Sequence, residues 1–245
     1  MKIKENQIIG ELVAQHYKVA RVFKKHNIDF CCKGNRTLDE ACQTSPDYLK
    51  TVIEELEAEI NQTESATIDF QTWPLDLLAD YIEKKHHRYV QEKTIEIQPY
   101  LNKICNVHGA QHPELIEIKK LFDEAAGELA AHMKKEELIL FPIVRKMVKK
   151  QSEGQSWEGV HFGTVQNPIQ MMMMEHETEG DRFAKIATLS NNYTPPKEAC
   201  NTYAVTFALL QEFEDDLHLH IHLENNILFP KAVVLEQNMN KTTIE

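Results

Sequence analysis

The chain has little glycine and tryptophan, few alternating β-branched segments and no long apolar run. Its 245 residues include 8 glycines and 2 tryptophans. Apolar residues recur instead at intervals of three and four, as in amphipathic helices, so the sequence predicts an all-α fold. No stretch of 18 apolar residues occurs, which argues against a membrane partner. No apolar signal-peptide core follows the N-terminal residues, so a cytoplasmic location is expected.

Positive charge and cysteine are also limited. The chain has 27 Lys and Arg residues against 38 Asp and Glu residues, a net charge of −11. Nucleic-acid binding needs a concentrated basic patch, so this composition excludes nucleic acid as a partner. The cysteines lack the spacing of a disulfide framework, which favours a reducing compartment. They are Cys31, Cys32, Cys42, Cys105 and Cys200.

The sequence predicts two domains of unequal size. Residues 1–62 are expected to form a small helical domain, and the polar stretch 61–67 is typical of a linker. Helices of the small domain are predicted over Ile8–His26, Leu38–Cys42 and Pro46–Ile60, with a turn over Asp29–Thr37. Residues 73–238 are expected to form the larger domain.

The larger domain contains four long helical segments with mostly short connections, which predicts an up-down-up-down four-helix bundle. The predicted helices cover 74–105, 113–150, 168–190 and 195–237. The third and fourth begin with a capping residue followed by proline, at Asn167-Pro168 and Thr194-Pro195. Pro142 and Pro230 lie inside the second and fourth helices, and we expect each to kink its helix.

Two segments of the bundle share the pattern His-x3-Glu-x3-Leu-Phe-Pro. The first copy begins at His132 and includes Glu136; the second begins 88 residues later at His220 and includes Glu224. Residues four apart on a helix lie on one face, so each segment directs an imidazole and a carboxylate the same way. Two such pairs facing each other inside a bundle could hold two metal ions.

The first and third predicted helices each add one inward histidine. His86 shares an apolar face with Leu78 and Ile82, and His176 lies on the apolar face of the third helix. The neighbouring His87 is predicted to lie about 100° away, on a solvated face. His86 and His176 are 90 residues apart, so the whole site is predicted to be a duplicated half-site.

Six polar side chains would then meet at one level of the bundle. They are His86, His132, Glu136, His176, His220 and Glu224. A single histidine on an apolar face is usually an ordinary core residue, but a buried carboxylate is costly unless it is paired or coordinates a metal. The alternative to a metal centre is a metal-free polar network.

The chemistry of this donor set favours particular metals. It contains nitrogen and oxygen but no sulfur, which disfavours structural zinc and favours iron or manganese. With two bridging carboxylates and a shared oxo or hydroxo bridge, about one position on each metal stays open. An open position allows binding of a small molecule such as dioxygen or nitric oxide.

These residues carry a resemblance to a known family. The paired His-x3-Glu motifs resemble those of hemerythrin-like di-iron bundles. Together with Asp29-Phe30-Cys31-Cys32, the following Gly34 and Glu-Asn-Asn-Ile-Leu-Phe-Pro over 224–230, they make nearly the whole chain similar to the iron–sulfur cluster repair di-iron proteins. That family is often called the repair-of-iron-centres or ScdA family.

The resemblance implies a bundle of hemerythrin type that holds two iron ions in an oxo- or hydroxo-bridged centre. It also implies restoration of iron–sulfur clusters damaged by nitric oxide or peroxide, with damaged iron–sulfur proteins as partners. The family's metal ligands carry over onto the same six residues. Dioxygen-carrying hemerythrins use five histidines and an asymmetric site, and this chain departs from that pattern.

Four further residues are candidates for chemistry. Cys31 and Cys32 are adjacent thiols that could be redox-active, accept a nitrosyl group or ligate a transferred iron; alternatively one is buried and the other idle. Glu128 lies one turn before His132 and is predicted to face inward, as a channel carboxylate or the partner of a buried base. Glu175 adjoins His176 and could line an access route, as a relay for protons or iron.

The leading hypothesis is therefore a stress-response protein that repairs iron–sulfur clusters by donating iron, handling nitric oxide, or both. The alternatives are nitric oxide reduction at the di-iron centre, which would make the protein an enzyme, and a dioxygen or redox sensor. The sequence leaves the oligomeric state open, with a homodimer among the alternatives.

Overall fold

The computed structural model describes residues 2–43, 45–61 and 68–242. Over these residues the chain forms helices joined by turns, and the only β-type pairing is one isolated antiparallel bridge between Ile8 and Thr37. The predicted all-α class is confirmed. Most of the stretch predicted to be a linker, residues 62–67, lies outside the described residues.

The N-terminal domain is built from short helices. They are α1 (Ile9–Gln15), α2 (Ala20–Lys25), α3 (Leu38–Ala41) and α4 (Pro46–Asn61), with a 3₁₀ turn over Tyr17–Val19. The prediction of one continuous helix over Ile8–His26 is wrong, because His16 leaves the helical conformation at φ −139° and ψ 74°. This break lets Val13 and Phe23, from either side of it, enter one apolar core.

Three of the four long rods of the bundle are α-helices interrupted by a π-helical turn, which is wider than an α-helical turn. The first rod is α5 (Leu75–Tyr81), a π turn (Ile82–His87) and α6 (Arg88–His108). The second is α7 (Glu114–Lys135), a π turn (Glu136–Leu140) and α8 (Phe141–Ser152). The third is the continuous α9 (Gln166–Leu189), and the fourth is α10 (Asn201–Leu223), a π turn (Glu224–Leu228) and α11 (Phe229–Thr242).

The rods pack in the order expected for a bundle of sequential neighbours. Helix α6 contacts α7 and α10, and α9 contacts α7 and α10. Aromatic side chains fill the interior between them: Phe213 of α10 contacts Phe122 of α7 and stacks on Phe183 of α9. The four-helix bundle predicted from the sequence is therefore present.

The predicted start of the fourth rod at Thr194-Pro195 is wrong, since the helix begins at Asn201. Pro195 is followed by Pro196, and a proline disfavours the helical conformation of the residue before it. Just upstream, Asn191, Asn192 and Tyr193 have positive φ angles of 49°, 52° and 57°. The chain therefore needs a longer loop before α10 can begin.

The N-terminal domain packs directly on the bundle, and two of its glycines lie against Asn226. A Cβ added at Gly34 would lie 2.4 Å from the Phe30 carbonyl oxygen and 2.9 Å from Oδ1 of Asn226 in the bundle. A Cβ added at Gly10 would lie 2.3 Å from the same Asn226 atom. The side-chain amide of Asn226 in turn donates to the Phe30 and Cys31 carbonyl oxygens, each at 3.3 Å.

Gly34→Ala should therefore destabilise the protein by about 1–3 kcal/mol, because the new methyl group meets backbone atoms that cannot move aside cheaply. Gly127 provides a matched control: it lies inside α7 and has nothing within 4 Å of an added Cβ. Gly127→Ala should stabilise by roughly 0.5–1 kcal/mol through helix propensity. Urea unfolding of both variants measures the difference, and equal stabilities would contradict the close packing at Gly34.

Candidate metal centre

The three π turns all carry candidate metal ligands. The turn Ile82–His87 ends at His87, and the other two begin at Glu136 and Glu224. The backbone N–H of Phe141 donates to the Glu136 carbonyl oxygen, a bond that spans five residues. Isolated π turns are rare and occur frequently at functional sites, because the extra residue re-aims the side chains of the turn.

The polar side chains of the bundle meet in two groups that share both carboxylates. One group contains His87, Glu136, His220 and Glu224, and the other contains His132, Glu136, His176 and Glu224. All six residues are buried, with exposures of 3% or less. Two adjacent groups of buried His and Glu side chains that share Glu136 and Glu224 are an arrangement that can hold metal cations.

The contacts within the two groups are short and repeat in both halves. Oε2 of Glu136 lies 3.4 Å from Nε2 of His87 and 3.3 Å from Nε2 of His132. The Glu224 carboxylate lies 3.3 Å from Nε2 of His176 and 3.2 Å from Nε2 of His220. Each carboxylate thus lies between two imidazoles that belong to different groups.

Three of the four imidazoles have a polar contact at Nδ1, the ring nitrogen opposite the one that approaches the carboxylates. Nδ1 of His132 lies 2.7 Å from Glu175, Nδ1 of His87 lies 3.0 Å from Glu137, and Nδ1 of His176 lies 2.8 Å from Oδ1 of Asn225. Such contacts favour the tautomer whose Nε2 lone pair points inward, as a metal-binding histidine requires.

The residues fit a cation because several buried atoms facing the centre have no hydrogen-bond partner. They are Nε2 of His87, both carboxylate oxygens of Glu136 and Oε2 of Glu224. Unpartnered buried carboxylate oxygens are costly, and coordination of a cation would satisfy them. Nε2 of His132 and Nε2 of His176 also approach to 2.9 Å, as two ligands directed at one small region do.

The electrostatics favour ionised carboxylates. Burial raises the pKa of Glu224, but the imidazoles of His220 and His176 outweigh burial and hold it well below the ordinary value. Burial and the Glu224 charge raise the pKa of Glu136, and His132 and His87 lower it, for a net decrease. Two ionised carboxylates in a buried site supply the negative charge that a pair of cations needs.

The structure places the sequence-predicted ligand His86 outside the two groups. The structure brings together the other five predicted residues and adds His87, which is 0% exposed and not on a solvated face. His86 is also buried, but its Nδ1 lies 3.0 Å from Asp216, and its ring stacks on His220 from outside the two groups. The π turn over 82–87 contains one residue more than the α-helical spacing assumes, so the histidine aimed at the centre is His87.

The prediction that Glu128 faces inward is also wrong. Its side chain is 60% exposed and pairs with Arg182 at 3.1 Å, while the adjacent Leu129 is buried. Glu175 is half-buried and binds behind His132, in an ion pair with Lys135. Glu175 therefore positions the imidazole of His132, a candidate ligand. A relay role for Glu128 or Glu175 remains a prediction.

Sequence reasoning missed three polar residues close to the centre. Glu137 and Asn225 follow Glu136 and Glu224 directly and contact the imidazoles of His87 and His176. Glu179, one turn after His176, is only 3% exposed, and burial raises its pKa to about 7. The repeated motif could have pointed to the first two, because each is the residue after a motif glutamate; nothing local marks the burial of Glu179.

The two predicted thiols lie beside the third rod. Sγ of Cys32 donates to the carbonyl oxygen of His176 at 3.2 Å. Nδ2 of Asn225 donates to the Cys31 carbonyl oxygen at 3.2 Å, while Oδ1 of the same side chain contacts His176. The cysteine pair therefore reaches a candidate ligand through one hydrogen bond and one amide side chain.

Cys200 lies at the other end of the bundle and should be the most reactive thiol. The His108 imidazole, 3.2 Å away, and backbone N–H groups at the start of α10 lower its pKa to about 7. His108→Ala should shift the pH midpoint of alkylation upward and slow iodoacetamide labelling at pH 7 roughly fivefold. Cys42 is 2% exposed and serves as the internal slow control; an unchanged Cys200 rate in the variant would contradict the pairing.

The fold and the site together define the class: an all-α protein with a helical bundle whose buried His and Glu groups suit metal binding. Residues 78–232 match the hemerythrin HHE cation binding domain. Residues 5–60 match ScdA_N, described as a domain of unknown function (DUF542). No helix in the described ranges is long and apolar enough to cross a membrane.

Relatives that match nearly the whole chain, including both of these segments, identify the family. The iron-sulfur cluster repair protein ScdA of Staphylococcus haemolyticus (strain JCSC1435) is 30% identical over 229 residues, covering 94% of this chain and 99% of the relative. Two further relatives are the iron-sulfur cluster repair proteins YtfE of Yersinia pestis (strain Pestoides F) and Yersinia pseudotuberculosis serotype O:1b (strain IP 31758). Each is 34% identical over 231 residues, which cover 93% of this chain and 97% of the relative. The chain belongs to this family of iron–sulfur cluster repair proteins, and the resemblance inferred from the sequence is confirmed.

Proposed function

We propose that this protein repairs iron–sulfur clusters damaged by nitrosative or oxidative stress, and that it holds two iron ions in the bundle to do so. The observation that carries the proposal is the pair of four-residue groups that share Glu136 and Glu224. The names of the relatives support repair as the task, and the nitrogen and oxygen donor set suits iron.

The side chains of the centre have separate parts in this function. Glu136 and Glu224 would bridge the ions, and four imidazoles would complete the protein ligands, two per ion. Glu175 and Glu137 orient the imidazoles of His132 and His87, and Lys135 and Lys134 neutralise these two outer carboxylates. The bound iron pair would supply electron transfer, or iron itself, to a damaged cluster, and would bind nitric oxide or dioxygen.

The centre is buried and is linked to the N-terminal domain. It lies between the apolar cluster around Phe141 and Phe229 and the cluster that joins the bundle to the N-terminal domain. The Asn225 side chain links His176 to the cysteine pair of that domain. A damaged iron–sulfur protein is the expected partner, and a reducing compartment such as the cytoplasm suits the unpaired thiols.

The test is repair of an iron–sulfur hydratase whose cluster has been damaged by nitric oxide, assayed anaerobically with reductant. The iron-loaded protein should restore hydratase activity, and Glu136→Gln protein of equal helical content should not. Iron-57 in the repair protein shows by Mössbauer spectroscopy whether iron is transferred, and nitrous oxide is measured in the same vial to detect nitric oxide reduction. Failure of the iron-loaded parent to restore activity would refute the proposal.

A further inference from the structure

We propose that Asp29, Cys31 and Cys32 form a second, mononuclear metal site that takes a thiophilic divalent cation. One donor atom from each of the three residues lies within 4.8 Å of the other two. The site belongs to the N-terminal domain and shares no residue with the centre in the bundle. The binding of a cation at this site does not depend on the proposed function. The inference that the natural cation is iron on its way to a damaged cluster rests on the proposed function.

The spacing of the donors matches a tetrahedral ion. Sγ of Cys31 and Sγ of Cys32 are 3.7 Å apart. A tetrahedral ion with metal–sulfur bonds of about 2.3 Å separates its two sulfurs by about 3.8 Å. Oδ1 of Asp29 lies 3.3 Å from Sγ of Cys31, close to the roughly 3.5 Å expected between a sulfur and an oxygen ligand of the same ion.

The surroundings hold these donors in place before any cation binds. Oδ1 of Asp29 accepts the backbone N–H groups of Cys31 and Cys32 at 3.0 and 2.9 Å, which fixes the turn. Cys31 is 3% exposed, and Cys32 packs against Gly180 of α9, where an added Cβ would lie 2.9 Å from its Sγ. Absence of a side chain at Gly180 therefore makes room for the thiol.

The charges of the cluster favour a cation. The hydrogen bond to Cys32, burial and the Asp29 carboxylate all raise the pKa of the Cys31 thiol. Three neighbouring groups that would all be anionic repel one another, and a divalent cation removes that repulsion while the two thiol protons pass to solvent. Soft thiolate ligands favour zinc, iron(II) or similar ions over magnesium and calcium.

The groove beside the cluster would give a fourth coordination position access to solvent and to a partner. Asp29 and Cys31 line a groove of about 930 Å³ between the N-terminal domain and the bundle, together with Glu214 and His218 of α10. Three protein ligands with an open fourth position are typical of sites that exchange or react, whereas structural sites are closed. An incoming thiolate from another protein would complete the coordination and take the ion.

The experiment uses the full chain with Glu136→Gln and Glu224→Gln, so that the bundle centre is disabled, under anaerobic conditions with a phosphine reductant. Titration with cobalt(II) should produce a thiolate-to-cobalt charge-transfer band and the visible bands of a tetrahedral ion. Adding Cys31→Ala, Cys32→Ala or Asp29→Asn should weaken cobalt binding by about 100-fold or more, since loss of an outer-shell partner alone costs about 10–100-fold. Gly180→Ala should weaken it with every ligand retained.

Cys42→Ala and Cys200→Ala are the matched controls and should leave the bands unchanged. Absence of the charge-transfer band in the parent, or its persistence after both Cys31→Ala and Cys32→Ala, would overturn the second site. Circular dichroism of each variant distinguishes the loss of a metal-binding side chain from unfolding of the protein. If Cys31→Ala loses cobalt in this background, and Cys31→Ala alone, with the bundle centre intact, still repairs clusters, the site exists and its role in iron transit is wrong, while the proposed function stands.

Discussion

Glu136→Gln and Glu224→Gln are each expected to abolish iron binding in both halves of the bundle centre. Each carboxylate belongs to both four-residue groups, so a single substitution removes a ligand from both ions. Glutamine keeps the size of the side chain but loses the charge and one acceptor oxygen. Iron content after reconstitution should fall from the parental value to near the background.

Thermal unfolding provides a second measurement of the same effect. A ligand that binds only the folded state stabilises it by about 2.7 kcal/mol at a concentration of 100 Kd. The parent should therefore gain stability when iron is added, whereas either glutamine variant should gain almost none. The metal-free forms should differ much less, because imidazoles that lose a carboxylate partner can stay neutral.

Glu124→Gln is the control for this pair. Glu124 lies on the same rod as Glu136, twelve residues earlier, with a side chain that is 46% exposed. Its substitution should leave iron content and the iron-dependent rise in unfolding temperature at the parental level. Full iron loading of either Glu136→Gln or Glu224→Gln would show that the shared carboxylates are not bridging ligands.

The parts of the centre that depend on local helical geometry could be predicted from the sequence. His132 and Glu136, four residues apart, need only a helix to share a face, and the second copy repeats the relation at His220. The second copy lies on an apolar face of the fourth rod, where Phe213 and Leu217 are buried. Where the helix is regular, residue spacing alone predicts which side chains share a face.

The parts that depend on irregular backbone or on the other domain could not be predicted. The π turn before His87 adds a residue without any composition that marks it, because π turns are stabilised by the packing around them. His222, two residues after His220, is also buried, because Phe30 of the N-terminal domain covers that side of α10. Docking at Gly10, Gly34 and Asn226 joins residues about 190 to 220 positions apart in the sequence, and no local pattern predicts such a contact.

The neighbouring residues His86 and His87 provide the second prediction with a large expected effect. Regular helical spacing predicts His86 as the ligand, whereas the structure places His87 in the group with His220. His87→Ala should remove one ligand from the group with His220 and leave the other group complete. We expect about half of the iron to be lost and the remaining ion to be magnetically uncoupled. His86→Ala removes a ring stacked behind His220, its edge contact with Tyr81 and a contact to Asp216, but no member of the two groups. Both ions should therefore remain coupled.

Iron content, Mössbauer spectra and electron paramagnetic resonance of the two variants measure the difference. Both positions are 0% exposed and lie in the same π turn, so each variant controls for the cavity and helix disturbance caused by the other. If His86→Ala lost iron and His87→Ala retained it, His86 would be the ligand, as regular spacing predicts. The role assigned to the π turn would then be wrong. Loss of half the iron from His87→Ala alone would establish that the extra residue in this turn selects the ligand.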